Sequence, residues 1–358
     1  MLKSRLCIAF FAFAVGCAPA QKPLTDYVNP MLGTATLWDS VDLGFKPTKR
    51  TWGAEVFPGS SLPNAMVQVS PVTKFHSGAG YQYEDSVIYG FTHTNKGHWN
   101  LCHIPLLPVT GTPTPGDYCS PFSHERESAA PGYYQVFLDR YGVDAQLSST
   151  LRCAFHKYTY PAGAAASLLA DLQRSNEHVR AWDIRKEGDN VFAGWQQTGE
   201  KMYFYAVANR PVTGIEPVVE GDREVRIVRF GEGDGALELR IGFSFVSEKN
   251  ARENLEAEML GKSFAEVRSE ATATWNDLLG RIRVEGGTER EKGLFYSSTA
   301  TTLRRSWPGL TCAATAASTS TVPTTSCCAT LRYRARAARG STSILPRGTF
   351  RKWTSRIP

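Results

Sequence analysis

The 358-residue sequence predicts a mainly β protein, a large antiparallel β-sandwich followed by linker helices. Three observations carry that reading. Leu237, Leu239, Ile241, Phe243 and Phe245 alternate with Glu238, Arg240, Gly242 and Ser244, the period of a half-buried strand. Shorter stretches of the same period recur at Val136 and Leu138, at Met202, Phe204 and Ala206, and at Val225 and Ile227. After Ser247 the spacing lengthens to three and four, through Phe264, Val267, Ala271, Trp275, Leu278 and Ile282, which is the period of an amphipathic helix.

In chain order, residues 1–20 have the form of an export signal: Lys3 and Arg5, the apolar run Leu6 to Val15, then the small-residue site Ala18-Pro19-Ala20. The run is too short to span a bilayer. Ala14-Val15-Gly16-Cys17 resembles a bacterial lipobox with Ala14 where Leu is preferred, so Cys17 is a candidate lipidation site that would tether the mature chain to a membrane surface. The expected location is the periplasm or the outer-membrane or cell surface of a Gram-negative bacterium, with membrane contact only through that lipid.

Residues 24–246 are assigned to the sandwich, with Gly231-Glu232-Gly233-Asp234-Gly235 read as a hairpin loop between two of its strands. Within it, Gly80 to Gly111 is the window densest in polar and aromatic side chains. Inside it, Val87, Tyr89 and Phe91 on one side and Ile104, Leu106 and Pro108 on the other alternate as strands do, and between them Thr94-Asn95-Lys96-Gly97 reads as a turn. His93, Asn95, His98, Trp99, Asn100 and His103 then fall on or beside a rim loop. Trp99 offers a flat apolar face for a sugar ring, and His93, Asn95 and His98 offer hydrogen bonds to its hydroxyls. The bland alternatives are packing for Trp99 and a structural role for His103. The spacing of His93, His98 and His103 matches no compact zinc motif, and no metal ligand is assigned.

Residues 247–298 read as helical linker and the start of a barrel, with a capping box at Ser263 and Glu266 where the helix through Trp275 begins. From Thr299 to Pro358 the chain has ten basic residues and no Asp or Glu, which leaves positions 1–298 at a net −4 although the whole chain is +6. The basic balance is therefore confined to the tail and gives no argument for a nucleic-acid partner. Of the eight cysteines, only Cys102, Cys119 and Cys153 lie in the body, too few and too irregular for a disulfide framework, though one bridge among them is allowed.

Several blocks in one order carry a family resemblance. Tyr27-Val28-Asn29-Pro30-Met31-Leu32-Gly33-Thr34 opens it, followed by Phe57-Pro58-Gly59 and by Pro63-Asn64-Ala65-Met66-Val67-Gln68-Val69-Ser70-Pro71. Gly80-Tyr81-Gln82-Tyr83, Gly90-Phe91-Thr92-His93-Thr94, Leu107-Pro108-Val109-Thr110-Gly111, Asn254-Leu255-Glu256-Ala257-Glu258, Trp275-Asn276 and Val284-Glu285-Gly286-Gly287-Thr288 continue it. The chain resembles the N-terminal part of glycoside hydrolase family 92, the calcium-dependent exo-acting α-mannosidases. It departs from the family at Arg50 to Glu55 and at Asn64, where Phe is common, so Trp52 and Glu55 join the candidate sugar-contacting residues while linkage specificity stays open.

That resemblance implies hydrolysis of terminal α-linked mannose in mannose-containing glycans, with inversion. The acid, the base and the calcium are implied to belong to an (α/α) barrel that this chain lacks, so none of its Asp or Glu is assigned to catalysis. After Ser298 the family continues with a segment like Leu-Tyr-Arg, which codons for Ser-Thr-Ala yield when read one base earlier. Residues 299–358 therefore read as a frameshifted or disordered tail. The alternative function is a stand-alone carbohydrate-binding sandwich. Against it, Phe264, Val267, Trp275 and Leu278 would present an unpartnered apolar face.

Overall fold

The computed structural model describes residues 22–36, 56–96, 99–233 and 235–304. Two antiparallel sheets face each other. One has seven strands in the order Ser60–Ser61, Gln68–Val72, Gly90–Thr92, Leu106–Val109, Ser167–Ala170, Arg223–Phe230 and Val212–Glu220. The other has eight, in the order Ala181–Lys186, Val191–Gln197, Lys201–Ala208, Leu237–Ser244, Cys153–Thr159, Val143–Ser149, Tyr133–Leu138 and Glu127–Ala130. The alternating residues behave as their period requires. Val136, Leu138, Met202, Phe204, Ala206, Val225, Ile227, Leu237, Leu239, Ile241 and Phe243 all point into one shared core between the sheets.

The glycine-rich loop does something else than expected. Arg223–Phe230 belongs to the seven-stranded sheet and Leu237–Ser244 to the eight-stranded one, so the loop carries the chain from sheet to sheet and closes no hairpin. Both flanking strands are strongly alternating, and alternation alone does not say which neighbour a strand pairs with.

Three helices follow: α1 (Glu248–Glu258), α2 (Phe264–Leu279) and α3 (Glu289–Arg304). The Ser263–Glu266 capping box starts α2 as predicted: the Ser263 side chain accepts from the Glu266 backbone N–H, and the Glu266 carboxylate accepts from the Ser263 N–H at 2.8 Å. Helix α1 lies directly on the outer face of the eight-stranded sheet. Gly242 permits this, because a Cβ there would come within 2.1 Å of the Ala251 carbonyl oxygen. Around that contact Tyr133, Cys153, Phe155, Leu255, Met259, Phe264 and Val267 form a second core.

The apolar face of α2 is therefore covered by the sandwich itself, contrary to the expectation of an unpartnered surface. Trp275 is fully buried and its indole N–H donates to the Ser61 carbonyl at 2.8 Å. The helix turns Leu279 inward in place of Leu278, and Ile282, beyond its end, is exposed. Leu24, Trp275, Leu279, Tyr296 and Ala300 make a third core under the N-terminal segment.

Helix α3 also runs past the expected boundary at residue 299. Ala300 is buried in the third core, and Arg304 is buried with its guanidinium donating to the Phe57 and Gly59 carbonyls at 3.0 and 2.8 Å. A Cβ at Gly59 would sit 1.9 Å from the Val69 carbonyl oxygen, so the Phe-Pro-Gly motif lies tight against the sheet and presents its carbonyls to the helix end. Residues 299–304 thus belong to the folded body. Cys102, Cys119 and Cys153 are free thiols, and the allowed bridge does not form. Asn64 adopts φ +56°, a left-handed conformation in which Asn is tolerated better than Phe. No helix among the described residues is long and apolar enough to cross a membrane.

Candidate functional site

The polar window from Gly80 to Gly111 folds as the end of the seven-stranded sheet with a short hairpin beyond it. Asn95–Lys96 pairs with Trp99–Asn100, so Asn95 and Lys96, read from the sequence as turn residues, are strand residues. The hairpin is fastened at its base. The His93 N–H donates to the His103 carbonyl at 3.2 Å, and Leu101 N–H to the Thr94 carbonyl at 3.1 Å. Cys102 and Ile104 both take positive φ, 55° and 53°, which is unusual for a β-branched residue. Side chains hold that kink: Asn100 Oδ1 accepts from Cys102 N–H at 2.8 Å and Gln196 Oε1 from Ile104 N–H at 2.8 Å.

His93 and His103 are not rim residues. His93 is wholly buried, and its Nε2 meets Nε2 of His156, on the facing sheet, at 3.1 Å. His156 Nδ1 in turn lies 2.5 Å from the Tyr158 hydroxyl. One proton must sit between the two Nε2 atoms, so each ring is neutral or shares its charge with the other. Burial favours the neutral forms, holding His93 down at about 3 and pushing His156 down as well. His103 is buried between the hydroxyls of Thr94 and Thr198, each 2.9 Å from a ring nitrogen. Its Nε2 lies 3.5 Å from Glu177, and that contact leads the causes that hold the Glu177 carboxyl at about 2.

Asn95 is also wholly buried, and neither of its side-chain polar atoms has a partner among the described residues. Trp99 is 37% exposed and is the one expected sugar-contacting residue, among those described, that reaches the surface. His98, Trp52, Glu55 and Cys17 lie outside the described residues. The structure therefore separates the window into a buried base, with His93, Asn95 and His103, and an exposed tip carrying Trp99. Sequence reasoning missed Asn176, whose amide donates to the Asn100 carbonyl at 2.6 Å, and Gln196 and Glu177, which brace the base from a strand and a loop far along the chain. No local pattern could have found them.

Residues 27–254 match the model of the glycosyl hydrolase family 92 N-terminal domain, and residues 250–305 match that of the family's catalytic domain. The chain belongs to glycosyl hydrolase family 92. The α-mannosidase structures of that family share its fold. A family 92 α-mannosidase from Bacteroides thetaiotaomicron aligns with a TM-score of 0.68 at 26% identity, over 78% of this chain and 40% of that one. An inverting mannosidase of family 92 from the same organism aligns with a TM-score of 0.66 at 24% identity, over 78% and 39%. An uncharacterized secreted glycosidase of Arthroderma benhamiae is 24% identical over 314 residues, 73% of this chain and 38% of the fungal protein. The chain thus spans about two fifths of the length of these relatives, and only residues from 250 on enter the catalytic domain of family 92.

The calcium that family 92 implies finds no cradle in the described part. Among the described residues no group of three or more His, Cys, Asp and Glu side chains is placed to hold a metal. The buried imidazoles are already paired with each other or with hydroxyls, and the Glu177 carboxylate serves His103 and Thr198.

Proposed function

We propose that this chain is the front portion of an exported α-mannosidase that removes terminal α-linked mannose from glycans with inversion. The family 92 match, running through the N-terminal domain into the start of the catalytic domain, carries the proposal. A related family 92 α-mannosidase binds mannoimidazole, which supports a mannose-shaped ligand. Inversion needs a carboxylic acid to protonate the leaving oxygen and a carboxylate to activate water on the opposite face, roughly 6.5–9.5 Å apart. We assign neither to this chain. Both, and the calcium with its ligands, are assigned to the remainder of the catalytic domain.

The sandwich's part is to close one wall of the sugar site with the exposed indole of Trp99, held in place by the fastened hairpin base, and with His98, Trp52 and Glu55 as further contacts. His93 and Asn95 support that wall from inside and do not touch sugar. Export by residues 1–20 and lipidation of Cys17 complete the proposal, placing the enzyme in the periplasm or at the cell surface of a Gram-negative bacterium. We further propose that residues from about 305 onward, which contain no Asp or Glu, are translated out of frame.

The test is resequencing of the gene from codon 285 on, followed by assay of the frame-corrected product on α-mannobiosides with and without a chelator. Calcium-dependent mannose release is expected from the corrected product and none from the 358-residue chain. Release unaffected by chelation, or an intact frame with no barrel downstream, overturns the proposal. The second reading, a carbohydrate-binding sandwich, is favoured by one observation: α1 and α2 pack on the sandwich itself, so the unit seals its own helix face.

A further inference from the structure

A groove of about 950 Å³ is lined by the segment from Gln173 to Trp182, which runs from a loop into the strand Ala181–Lys186, together with His76, Asp222 and Arg223. Two of its arginines are engaged within the fold. Arg223 donates to the Pro115 carbonyl at 3.0 Å and to buried Asp171 at 2.6 Å, while Arg174 donates to the Tyr118 hydroxyl at 3.1 Å and lies over the rings of Phe75 and Tyr89. The side chains of His76, His178, Arg180 and Asp222 are different: among the described residues they have no hydrogen-bond or ion-pair partner. Trp182 is half-buried beside them, with the Arg226 guanidinium 5.4 Å from its ring centroid.

His76 takes φ +61° and is held there by its N–H donating to Asn176 Oδ1 at 2.6 Å. Non-glycine residues in that region are uncommon and cluster at functional sites. Asn176 also donates to the carbonyl of Asn100, so the groove and the Trp99 hairpin share one bracing residue.

We propose that this groove binds a neutral oligosaccharide beside the hairpin. The unengaged groups carry both signs, Arg180 against Asp222, with two imidazoles. That mixture suits vicinal hydroxyls, which both accept and donate, better than it suits an anion. A planar indole among such groups is the apolar wall that sugar rings require. The volume is at the upper end of the roughly 300–1,000 Å³ of small-molecule sites, with room for more than one ring. The inference extends the carbohydrate reading but uses no part of the catalytic domain.

The test is titration of the 358-residue chain with an α-linked mannotriose, followed by tryptophan fluorescence or calorimetry. Trp182→Ala and Arg180→Ala should each weaken binding roughly tenfold, the loss of one hydrogen-bonded or stacked contact. Arg180 is exposed and unpartnered, so its variant keeps the fold if Trp182→Ala does not. In the frame-corrected protein, Trp182→Ala should lower kcat/KM on polymeric mannan and leave it unchanged on a mannobioside. Loss of that enzyme's activity on both substrates in the wild type would sink the mannosidase reading and leave this one standing. Binding lost only in Trp99→Ala, binding displaced by inorganic phosphate or high salt, or no binding by the folded wild-type chain would overturn the groove.

Discussion

Two of the regions that hold histidines treat them oppositely. Around His93 each ring is buried: His93 faces His156 across the sandwich, His156 faces Tyr158, and His103 sits between two threonine hydroxyls. Around the groove, His76 and His178 are exposed and make no side-chain hydrogen bond among the described residues. The first arrangement ties the sheets together, and the second leaves hydrogen-bonding capacity facing a concavity. A dense run of histidines in the chain is therefore a poor pointer to a ligand, because the polar groups that a fold leaves unengaged are the ones a ligand can use.

The contrast is sharpened first by Phe91, which is fully buried with its ring 6.3–6.4 Å from those of Tyr134, His156 and Tyr158. Phe91→Ala should cost about 3–5 kcal/mol, read as a fall in the urea midpoint, because the cavity opens beside the histidine pair. A loss under about 1 kcal/mol would mean the interior there is loosely packed and the contrast is false.

Acidification separates the regions next. Burial lowers His93 to about 3 from an ordinary 6.5 and lowers His156 too, so below about pH 6.5 the unfolded chain takes up protons that the folded chain refuses. Stability is full above that pH and declines as pH falls toward 3, by on the order of 1 kcal/mol per pH unit for His93, with His156 acting in the same direction. Denaturation midpoints measured between neutrality and pH 4 check this; a flat profile would show that the rings are not held neutral.

Single substitutions give smaller effects. His93→Ala removes a buried partner and should cost about 2 kcal/mol, and it should also flatten part of the pH dependence. His178→Ala should change stability by less than about 0.5 kcal/mol. Equal costs at the two positions, measured by the same denaturant series, would erase the distinction.

Much of the fold could be read from local pattern. Strand faces follow from the period of two, as at Leu237 to Phe243, and the start of α2 follows from Ser263 and Glu266, because both signals lie within a few neighbouring residues. Strand pairing could not be read: the loop at Gly231 joins two sheets, and nothing local tells a sheet crossing from a hairpin. The end of the folded body was likewise hidden, since Ala300 and Arg304 are held by the third core and by carbonyls near Phe57, far away in sequence.

For the site, the sequence by itself determined the segment. The polar, aromatic window between two strands is where the hairpin stands, and the ordered motifs placed the chain in its family. Only the tertiary structure decided which side chains face outward. His93 is interior because His156 arrives from 63 residues along the chain and takes its Nε2, and Trp99 is exposed because it stands in a separate two-stranded hairpin beyond the end of the strand Gly90–Thr92. The groove at Trp182 depended entirely on assembly: its walls come from segments distant in sequence brought together by packing, and its defining property, polar groups without partners among the described residues, exists only once every other partner has been placed.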